Sequence, residues 1–175
     1  MIRGIVLSLL IVIGTLPLAL GAAQQGGQAP MVIEVEKLKD NLFVLRGAGG
    51  GGNTAVFVQS NGVTLVDTKN PGWGQPILAK VRELTPKPVT LIINTHTHGD
   101  HVSGNVAFPA TVDVVTHENT KTRMGEWKPY YGRKEPPPNV FKESNGQGLP
   151  KRTCKDRMTI GRGSDQIDLY YFGRG

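Results

Sequence analysis

The chain has 175 residues, of which 38% are hydrophobic, and its formal charge at pH 7 is +6. This length and composition fit one ordinary domain with a packed core, and they exclude a disordered chain. Cys154 is the only cysteine, which excludes an internal disulfide and leaves packing or a bound metal to stabilise the fold. We expect Cys154 to act as a small buried hydrophobe, with a metal ligand or a nucleophile as the alternatives.

Residues 1–23 have the pattern of a secretory signal peptide. Arg3 supplies the positive start, residues 5–20 form an uncharged apolar run, and Gly21-Ala22-Ala23 offers small residues for cleavage. A membrane anchor is the alternative, but the apolar run of 16 residues is shorter than the roughly 18 to 20 that span a bilayer. We therefore expect an exported protein, periplasmic or secreted, that keeps no stable membrane anchor after cleavage. Residues 24–30 are then a polar linker.

The first part of the domain is predicted to be an antiparallel meander. Four short strands are expected at residues 32–36, 42–46, 54–59 and 63–67. Asn61-Gly62 marks a tight hairpin turn between the last two of them. The Gly47 to Gly52 run predicts a flexible flap, because it lacks the lysine and the following helix of a phosphate-binding loop.

The next part is predicted to contain a strand, a crossover helix and a parallel strand. Pro76 can open a helix whose apolar residues share one face, and Pro86 ends it. Residues 89–94 then form a nearly all-apolar strand, as expected for a strand that is buried on both faces. Later elements are expected as a short helix at 103–108, a strand at 112–116, a helix at 118–124 and strands at 158–160 and 167–172.

His96-Thr97-His98-Gly99-Asp100-His101 follows that buried strand and places four metal-binding side chains within six residues. Because residues two apart in an extended segment point to the same side, His96 and His98 can share one metal. Gly99 permits a sharp turn that aims Asp100 and His101 at a second metal. Asp100 is also the candidate catalytic residue, since it could orient a metal-activated hydroxide and carry a proton to the leaving group. A purely structural zinc is the alternative, and such sites favour cysteine.

This motif, with the Leu65 to Thr68 strand end and the Leu91 to Thr95 strand before it, resembles the metallo-β-lactamase superfamily. The resemblance covers about residues 31–175. It implies an α+β, or α/β, fold: a four-layer αβ/βα sandwich of which about the first half is present. It also implies a dinuclear zinc site, with His96 and His98 on the first ion and Asp100 and His101 on the second. By the same resemblance Asp67 holds the ligand loop through hydrogen bonds, and a strand-end turn residue is the alternative for it.

The resemblance also implies ligands that these 175 residues do not contain. In relatives the strand corresponding to Tyr170 to Gly173 leads into a His-Thr segment that completes the first zinc site, followed by a bridging aspartate and a further histidine. We therefore expect a truncated copy or a fragment that binds metal weakly and is weakly active. It would expose an apolar sheet face through which it could dimerise. His117 is expected at a helix entry, with a substitute metal ligand as the alternative.

The positive charge is concentrated in residues 121–157, which contain ten Lys or Arg against four Asp or Glu. The prolines and glycines of this segment predict an extended surface excursion. A solvated loop is expected, and attraction of an anionic substrate or of nucleic acid are the alternatives. Because an exported protein rarely meets nucleic acid, a nuclease of the same superfamily is the least favoured function and no nucleic-acid partner is expected.

Together these observations predict an exported zinc hydrolase. It would use metal-bound hydroxide to open an amide, lactone, ester or thioester bond in a small molecule such as a β-lactam. Iron or manganese could replace zinc in such a mixed nitrogen and oxygen site. The alternative is a non-catalytic remnant that binds metal or a partner. Trp73 and Trp127 are expected to serve packing more than a substrate pocket.

Overall fold

The computed structural model describes residues 31–49, 51–128 and 134–173. The predicted signal peptide and linker lie outside these ranges. The strands are β1 (Ile33–Lys39), β2 (Leu42–Gly47), β3 (Thr54–Val58), β4 (Val63–Val66), β5 (Val89–Asn94), β6 (Asp113–His117), β7 (Arg152–Cys154), β8 (Arg157–Ile160) and β9 (Ile167–Tyr170). The helices are α1 (Gly74–Leu84), α2 (Gly99–Val102), α3 (Glu118–Glu126) and α4 (Val140–Glu143). The described part of the chain contains no helix that is both long and apolar enough to cross a bilayer.

Seven strands form one mixed sheet in the order β1-β2-β3-β4-β5-β6-β7. The pairs from β1 to β4 are antiparallel, which confirms the predicted meander, and the pairs from β4 to β7 are parallel. The turn between β3 and β4 contains Asn61-Gly62, as predicted, and the Gln59 amide donates to the Gly62 carbonyl across it. A side chain at Gly62 would meet Thr90 at 2.6 Å, so the turn lies directly against the start of β5.

Helix α1 makes the crossover between β4 and β5 and covers one face of the sheet. Its apolar side chains Ile77, Leu78 and Val81 are buried, whereas the opposite side of the helix is polar. The core beneath it joins both halves of the sheet. It consists of Leu45, Val56, Val63, Leu65, Trp73, Ile77, Leu78, Val81, Ile92, Phe108, Val112 and Val114. This parallel unit therefore fixes where β4 and β5 end, and both ends lie at the same edge of the sheet.

The hairpin of β8 and β9 forms a second, two-stranded sheet on the other face. Its apolar side chains pack on Leu91, Ile93 and Val115 of the first sheet. The face that the sequence predicted to be exposed is therefore partly covered from within the chain. The last strand ends at Tyr170 and not at Phe172 as predicted, and the Phe172 side chain is 93% exposed.

The described parts of the basic segment, residues 121–128 and 134–157, are not one extended excursion as the composition predicted. They contain the end of α3, all of α4, β7 and the start of β8. Trp127 and Phe141 meet edge to face at 5.5 Å between ring centroids, within a small core that also contains Met124. Because apolar anchors recur in this segment and pack together, proline and lysine content alone overstated its extension.

Candidate metal centre

The histidine motif begins directly after β5, and Asp67 directly follows β4, its parallel neighbour. Parallel strands end at the same edge of a sheet, so Asp67 and the motif meet there. The chain then turns into α2, which contains Asp100 and His101. The sequence separates Asp67 from this motif by a whole helix and strand, and only the sheet brings them together.

Asp67 is the centre of a hydrogen-bond network and is only 4% exposed. Its Oδ1 accepts the Thr95 backbone amide at 2.8 Å. Its Oδ2 accepts the Thr95 hydroxyl at 2.6 Å and His101 Nδ1 at 2.7 Å. Both oxygens of this buried carboxylate are therefore engaged, as burial of a charge requires. This arrangement favours the predicted role of Asp67, which is to hold the ligand loop through hydrogen bonds.

The same network assigns the histidine tautomers. Since the carboxylate of Asp67 only accepts, His101 must donate from Nδ1, which leaves the lone pair on Nε2. The Thr95 hydroxyl has one proton and donates it to Asp67. Its contact with His96 Nδ1 at 2.9 Å is therefore one in which the hydroxyl oxygen accepts and Nδ1 donates. His96 therefore also presents a lone pair on Nε2, the form that binds a metal.

The predicted ligands lie in two pairs. His96 Nε2 and His98 Nδ1 are 3.1 Å apart, and His101 Nε2 and Asp100 Oδ2 are 3.6 Å apart. Two ligands on one tetrahedral zinc, with bonds of roughly 2.0–2.2 Å, are separated by roughly 3.3–3.5 Å. Both separations lie within about 0.2 Å of this range, so each pair could share one ion. Without an ion, His98 Nδ1 donates to the lone pair of His96 Nε2. The rings of His96 and His101 lie 4.0 Å apart between centroids, so the two pairs are neighbours.

A different grouping is also present, in which ligand atoms of Asp67, His96 and His101 lie within 4.8 Å of one another. This grouping would make Asp67 a direct ligand. We favour the two pairs, because Asp67 already has both oxygens occupied by hydrogen bonds and is buried behind the rings. The donor set, imidazole nitrogen with carboxylate oxygen, suits zinc in either grouping and also tolerates iron or manganese.

The electrostatics of the site favour neutral imidazole at His96. Burial lowers the pKa of His96, and nearby His101 and His98 lower it further, whereas Asp67 and Asp100 act in the opposite direction. A neutral ring is the form that coordinates a metal. The Asp100 side chain is 42% exposed, more than the 22% of its neighbour His101.

Two buried asparagines that the sequence interpretation missed hold the motif from below. Asn105 donates to the Asn94 side chain at 2.7 Å and accepts from the Thr68 hydroxyl at 2.7 Å. The Thr68 amide in turn donates to the His101 carbonyl at 2.7 Å. The polar Asn94 at the end of an apolar strand was the available signal, whereas its pairing with Asn105 depends on the fold.

The described end of the glycine run contacts the motif directly, and the flexibility predicted for the run stays a prediction. A Cβ at Gly51 would lie 2.3 Å from Asp100 Cβ, and one at Gly52 would lie 2.4 Å from His101 Cε1. The Gly52 amide also donates to the Asp100 carbonyl at 3.2 Å. These two glycines are therefore required for close approach to the ligands, and the described end of the loop is seated on the site.

His117 and Cys154 lie beside each other at the carboxyl ends of β6 and β7. His117 Nδ1 accepts the Asn119 amide at 3.1 Å, and His117 Nε2 donates to the Lys155 carbonyl at 2.7 Å. Both ring nitrogens are used, so His117 caps α3 as predicted and has no lone pair for a metal. Cys154 is 8% exposed and burial raises its pKa, which fits a packed thiol more than a nucleophile.

A cleft of about 380 Å³ opens between the two sheets beside this edge, and Thr95, His117 and Tyr171 line part of it. A slightly larger opening, about 430 Å³, lies at the opposite end of the strands near Asp113 and Arg152. We assign no chemistry to the larger opening, since none of the histidines lies there. This cleft lies beside the motif, although none of the four predicted ligands lines it.

Comparison with known proteins gives consistent results. A mouse protein, metallo-beta-lactamase domain-containing protein 1 [Mus musculus], is 35% identical over 74 residues, which are 41% of this chain and 28% of that protein. The metallo-beta-lactamase type 2 of Elizabethkingia meningoseptica is 25% identical over 170 residues, which are 91% of this chain and 60% of that enzyme. The chain thus spans between about a quarter and three fifths of the lengths of these relatives.

Solved structures show the same fold. A metallo-beta-lactamase from Pontibacter korlensis superposes with a TM-score of 0.60 at 22% identity, covering 80% of this chain and 60% of that one. A subclass B3 metallo-beta-lactamase of Bradyrhizobium japonicum gives 0.58 at 23% identity, covering 76% and 49%. The family model of the metallo-beta-lactamase superfamily matches residues 47–163. Because that match covers more than half of the sequence and includes β4, the histidine motif and β8, the chain belongs to the metallo-beta-lactamase superfamily.

Proposed function

We propose that this protein is a zinc-dependent hydrolase of small molecules that contain an amide, lactone, ester or thioester bond, such as a β-lactam. The main support for the proposal is the spacing of the predicted ligands. The two ligand pairs, His96 with His98 and Asp100 with His101, are spaced for neighbouring ions at the edge of the sheet. The tautomers that Asp67 and Thr95 impose point the Nε2 lone pairs of His96 and His101 outward from the network.

Each residue has a defined task in this proposal. His96 and His98 would hold one zinc, and Asp100 and His101 the second. When bound, zinc acidifies a water molecule and polarises a carbonyl group. Asp100, which is part exposed, would accept a proton on its carboxylate and pass it to the leaving group. Asp67 and Thr95 orient the rings and do not contact the substrate.

We further propose that full activity requires a longer chain than these 175 residues. The type 2 relative of Elizabethkingia meningoseptica is longer, since this chain covers 60% of it. Two protein ligands per ion leave each zinc with fewer bonds than the three or four of usual sites, which weakens binding. The 175-residue chain would therefore bind zinc weakly and turn over slowly, and a longer version would do both better.

Zinc content and hydrolysis test this proposal together. We expect purified protein to bind zinc, to hydrolyse a chromogenic cephalosporin or thioester slowly, and to lose that turnover with a chelator. His96→Ala should remove the zinc that His96 and His98 would share, which lowers the zinc content per chain, and it should abolish turnover. His117→Ala is the matched control, because both His117 ring nitrogens already have protein partners, and it should leave zinc binding unchanged.

The outcomes separate the two functions that the sequence left open. A zinc content that is lower in His96→Ala than in the wild type, without turnover in either this chain or a longer one, would indicate a non-catalytic remnant. Equal zinc content in wild type and His96→Ala would contradict the metal centre itself.

Export is a separate part of the proposal. Residues 1–23 supply the signal pattern, and the superfamily includes the bacterial type 2 enzyme. Expression in a Gram-negative host, followed by fractionation and N-terminal sequencing, should recover a periplasmic product that begins near Gln24. A cytoplasmic product that retains Met1 would contradict export.

A further inference from the structure

Lys69 is a lysine with no exposed surface, two residues after Asp67 in the loop that follows β4. Its φ of 65° is in the left-handed region, which lysine rarely adopts. Burial of an ammonium group is costly unless the charge is hydrogen-bonded. Lys69 combines an unfavourable backbone conformation with a buried charge, and such strained residues cluster at functional sites.

The Lys69 ammonium donates to the Gly52 carbonyl and lies 5.7 Å from the centre of the Trp73 ring. Trp73 in turn closes the other end of the glycine run, since a Cβ at Gly47 would lie 2.5 Å from it. The Lys69 side chain therefore lies near both described ends of the glycine-rich loop, residues 47–49 and 51–52. It donates to Gly52, by which that loop leads into β3.

Gly52 also contacts the residues of the metal motif directly. Its amide donates to the Asp100 carbonyl at 3.2 Å, and its Cα lies against the His101 ring. The peptide units on either side of Gly52 are thus held by two different parts of the protein, Asp100 through the amide and Lys69 through the carbonyl. A change in the second contact would move the first.

The backbone beside Lys69 is hydrogen-bonded to α2, and that of Lys69 itself to the 3-10 turn, Ser103–Ala107, that follows α2. The Lys69 carbonyl accepts from the Gly104 amide at 3.2 Å, and the preceding Thr68 amide donates to the His101 carbonyl at 2.7 Å. Gly104 cannot have a side chain, because a Cβ there would lie 2.0 Å from the Thr68 carbonyl oxygen. Lys69 therefore connects the backbone that follows the metal motif to the glycine-rich loop at Gly52.

We propose that Lys69 is a positioning residue that seats the glycine-rich loop on Asp100 and His101 and so sets the orientation of these two side chains. The link from orientation to zinc affinity rests on the proposed function, whereas the seating of the loop does not. Lys69 does not touch substrate or ion in this proposal. Its effect passes through Gly52.

The first experiment measures the loop in the metal-free protein. Lys69→Met removes the ammonium and keeps most of the apolar stem, so amide exchange at Gly51 and Gly52 should become about tenfold faster than in wild type. Exchange in β5 and β6 should stay unchanged. Lys80→Met is the matched control: Lys80 lies on α1, pairs with Glu83 at 2.6 Å and does not touch the loop, so it should change neither.

The second measurement is zinc affinity, by competition with a chromophoric chelator, together with the visible spectrum of the cobalt-substituted protein. Lys69→Met should weaken zinc binding about tenfold, the lower end of what residues behind metal ligands contribute. It should also change the cobalt bands, which report ligand geometry. Lys69→Arg retains the charge and the donors and should restore part of the loop protection and of the affinity.

Gly52→Ala changes the loop side of the same contact. This variant remains useful if the protein does not fold with a substitution at the buried Lys69. The added methyl must displace the His101 ring or the loop, so zinc affinity should again fall about tenfold or more. Gly125→Ala is its control, since nothing lies within 4 Å of a Cβ there.

These outcomes keep the two proposals apart. Faster exchange at Gly51 and Gly52 without any zinc binding in wild type would support the seating and contradict the proposed function. Uniformly faster exchange across the whole sheet in Lys69→Met, with no rescue by Lys69→Arg, would show that Lys69 only stabilises the fold. Unchanged exchange in the loop would also overturn the inference.

Discussion

At the scale of single residues, the site depends on which ring nitrogens are protonated. Thr95 is the junction, because its amide and hydroxyl both donate to Asp67 while its hydroxyl oxygen accepts from His96. A single carboxylate thereby fixes two histidine tautomers, one directly and one through a hydroxyl. Loss of a residue that hydrogen-bonds to a metal ligand commonly lowers metal affinity by about 10- to 100-fold.

Asp67→Asn tests this dependence. The amide would present a donor where His101 Nδ1 and the Thr95 hydroxyl now donate, so His101 would favour the opposite tautomer and block Nε2. We expect zinc affinity to fall about 10- to 100-fold, measured by chelator competition. Asp113→Asn is the control, since Asp113 pairs with Arg152 at 2.7 Å at the other end of the strands. An equal loss in both variants would contradict the assignment.

The residues of the site differ in how visible they were in the sequence. The four ligands stand within six positions and could be read from their spacing alone, and Asp67 was found through the resemblance. Asn105 and Lys69 carried no local signal, because what matters about each is a contact with a residue far along the chain: Gly148 for Asn105 and Gly52 for Lys69. Local patterns do not encode such contacts.

At the scale of elements, the hairpin of β8 and β9 is attached to the first sheet through its middle and through its turn. Apolar packing covers its middle, and Asp165 in its turn ties it to the turn between β3 and β4. The Asp165 carboxylate accepts the Ser60 amide at 2.9 Å and also the Ser60 hydroxyl. The Asp165 carbonyl accepts from the Gln59 side chain at 2.7 Å.

This contact should make the stability of the hairpin depend on pH. Hydrogen bonds from the Ser60 side chain and amide lower the pKa of Asp165 below its ordinary value of 3.8. A carboxyl with a depressed folded-state pKa stabilises the protein above its unfolded pKa, and this stabilisation is lost as pH falls through the folded-state value.

Asp165→Asn should therefore be less stable than wild type in urea denaturation at pH 7, and the difference should shrink steadily below about pH 3.8. Asp156→Asn, at an exposed position near the same hairpin, is the control and should match wild type at pH 7 and throughout the acidic range. A stability difference for Asp165→Asn that stayed constant down to about pH 2 would contradict the role of the charge.

The elements themselves followed well from local patterns, with shifts of one or two residues at most strand ends. The exception is the basic segment, where the composition predicted an extended excursion and the chain instead returns to β7 beside β6. Among its anchors, Met124 and Trp127 lie at the end of α3, whereas Phe141 lies far along the chain in α4, so no single periodic pattern marks the set.

At the scale of the whole molecule, apolar surface remains at the open end of the cleft between the sheets. Tyr170 and Phe172 stack at 5.9 Å between centroids and are 52% and 93% exposed. Exposed aromatic pairs beside an apolar cleft favour association. The net charge of +6 opposes it at low ionic strength.

Dimerisation through this face remains our prediction from the sequence, and sedimentation velocity over a range of protein concentrations tests it. We expect the weight-average sedimentation coefficient to rise with concentration, more so in added salt. Combined Tyr170→Ser and Phe172→Ser should suppress the rise. Leu38→Ser, which removes a 51% exposed apolar side chain on the distant edge strand, should not. A concentration-independent monomer in wild type would contradict the prediction.

The sequence by itself determined the metal motif, the meander and the crossover helix, because each depends on short-range spacing of apolar, polar and turn-forming residues. The fold class followed from the resemblance of that motif to a known superfamily. Tertiary structure decided what surrounds the motif: the Asp67 to Thr95 to His96 relay, the buried Lys69 and the seating of Gly51 and Gly52 on Asp100 and His101. These contacts join residues that lie on different loops. They exist only because adjacent parallel strands end at one edge of the sheet.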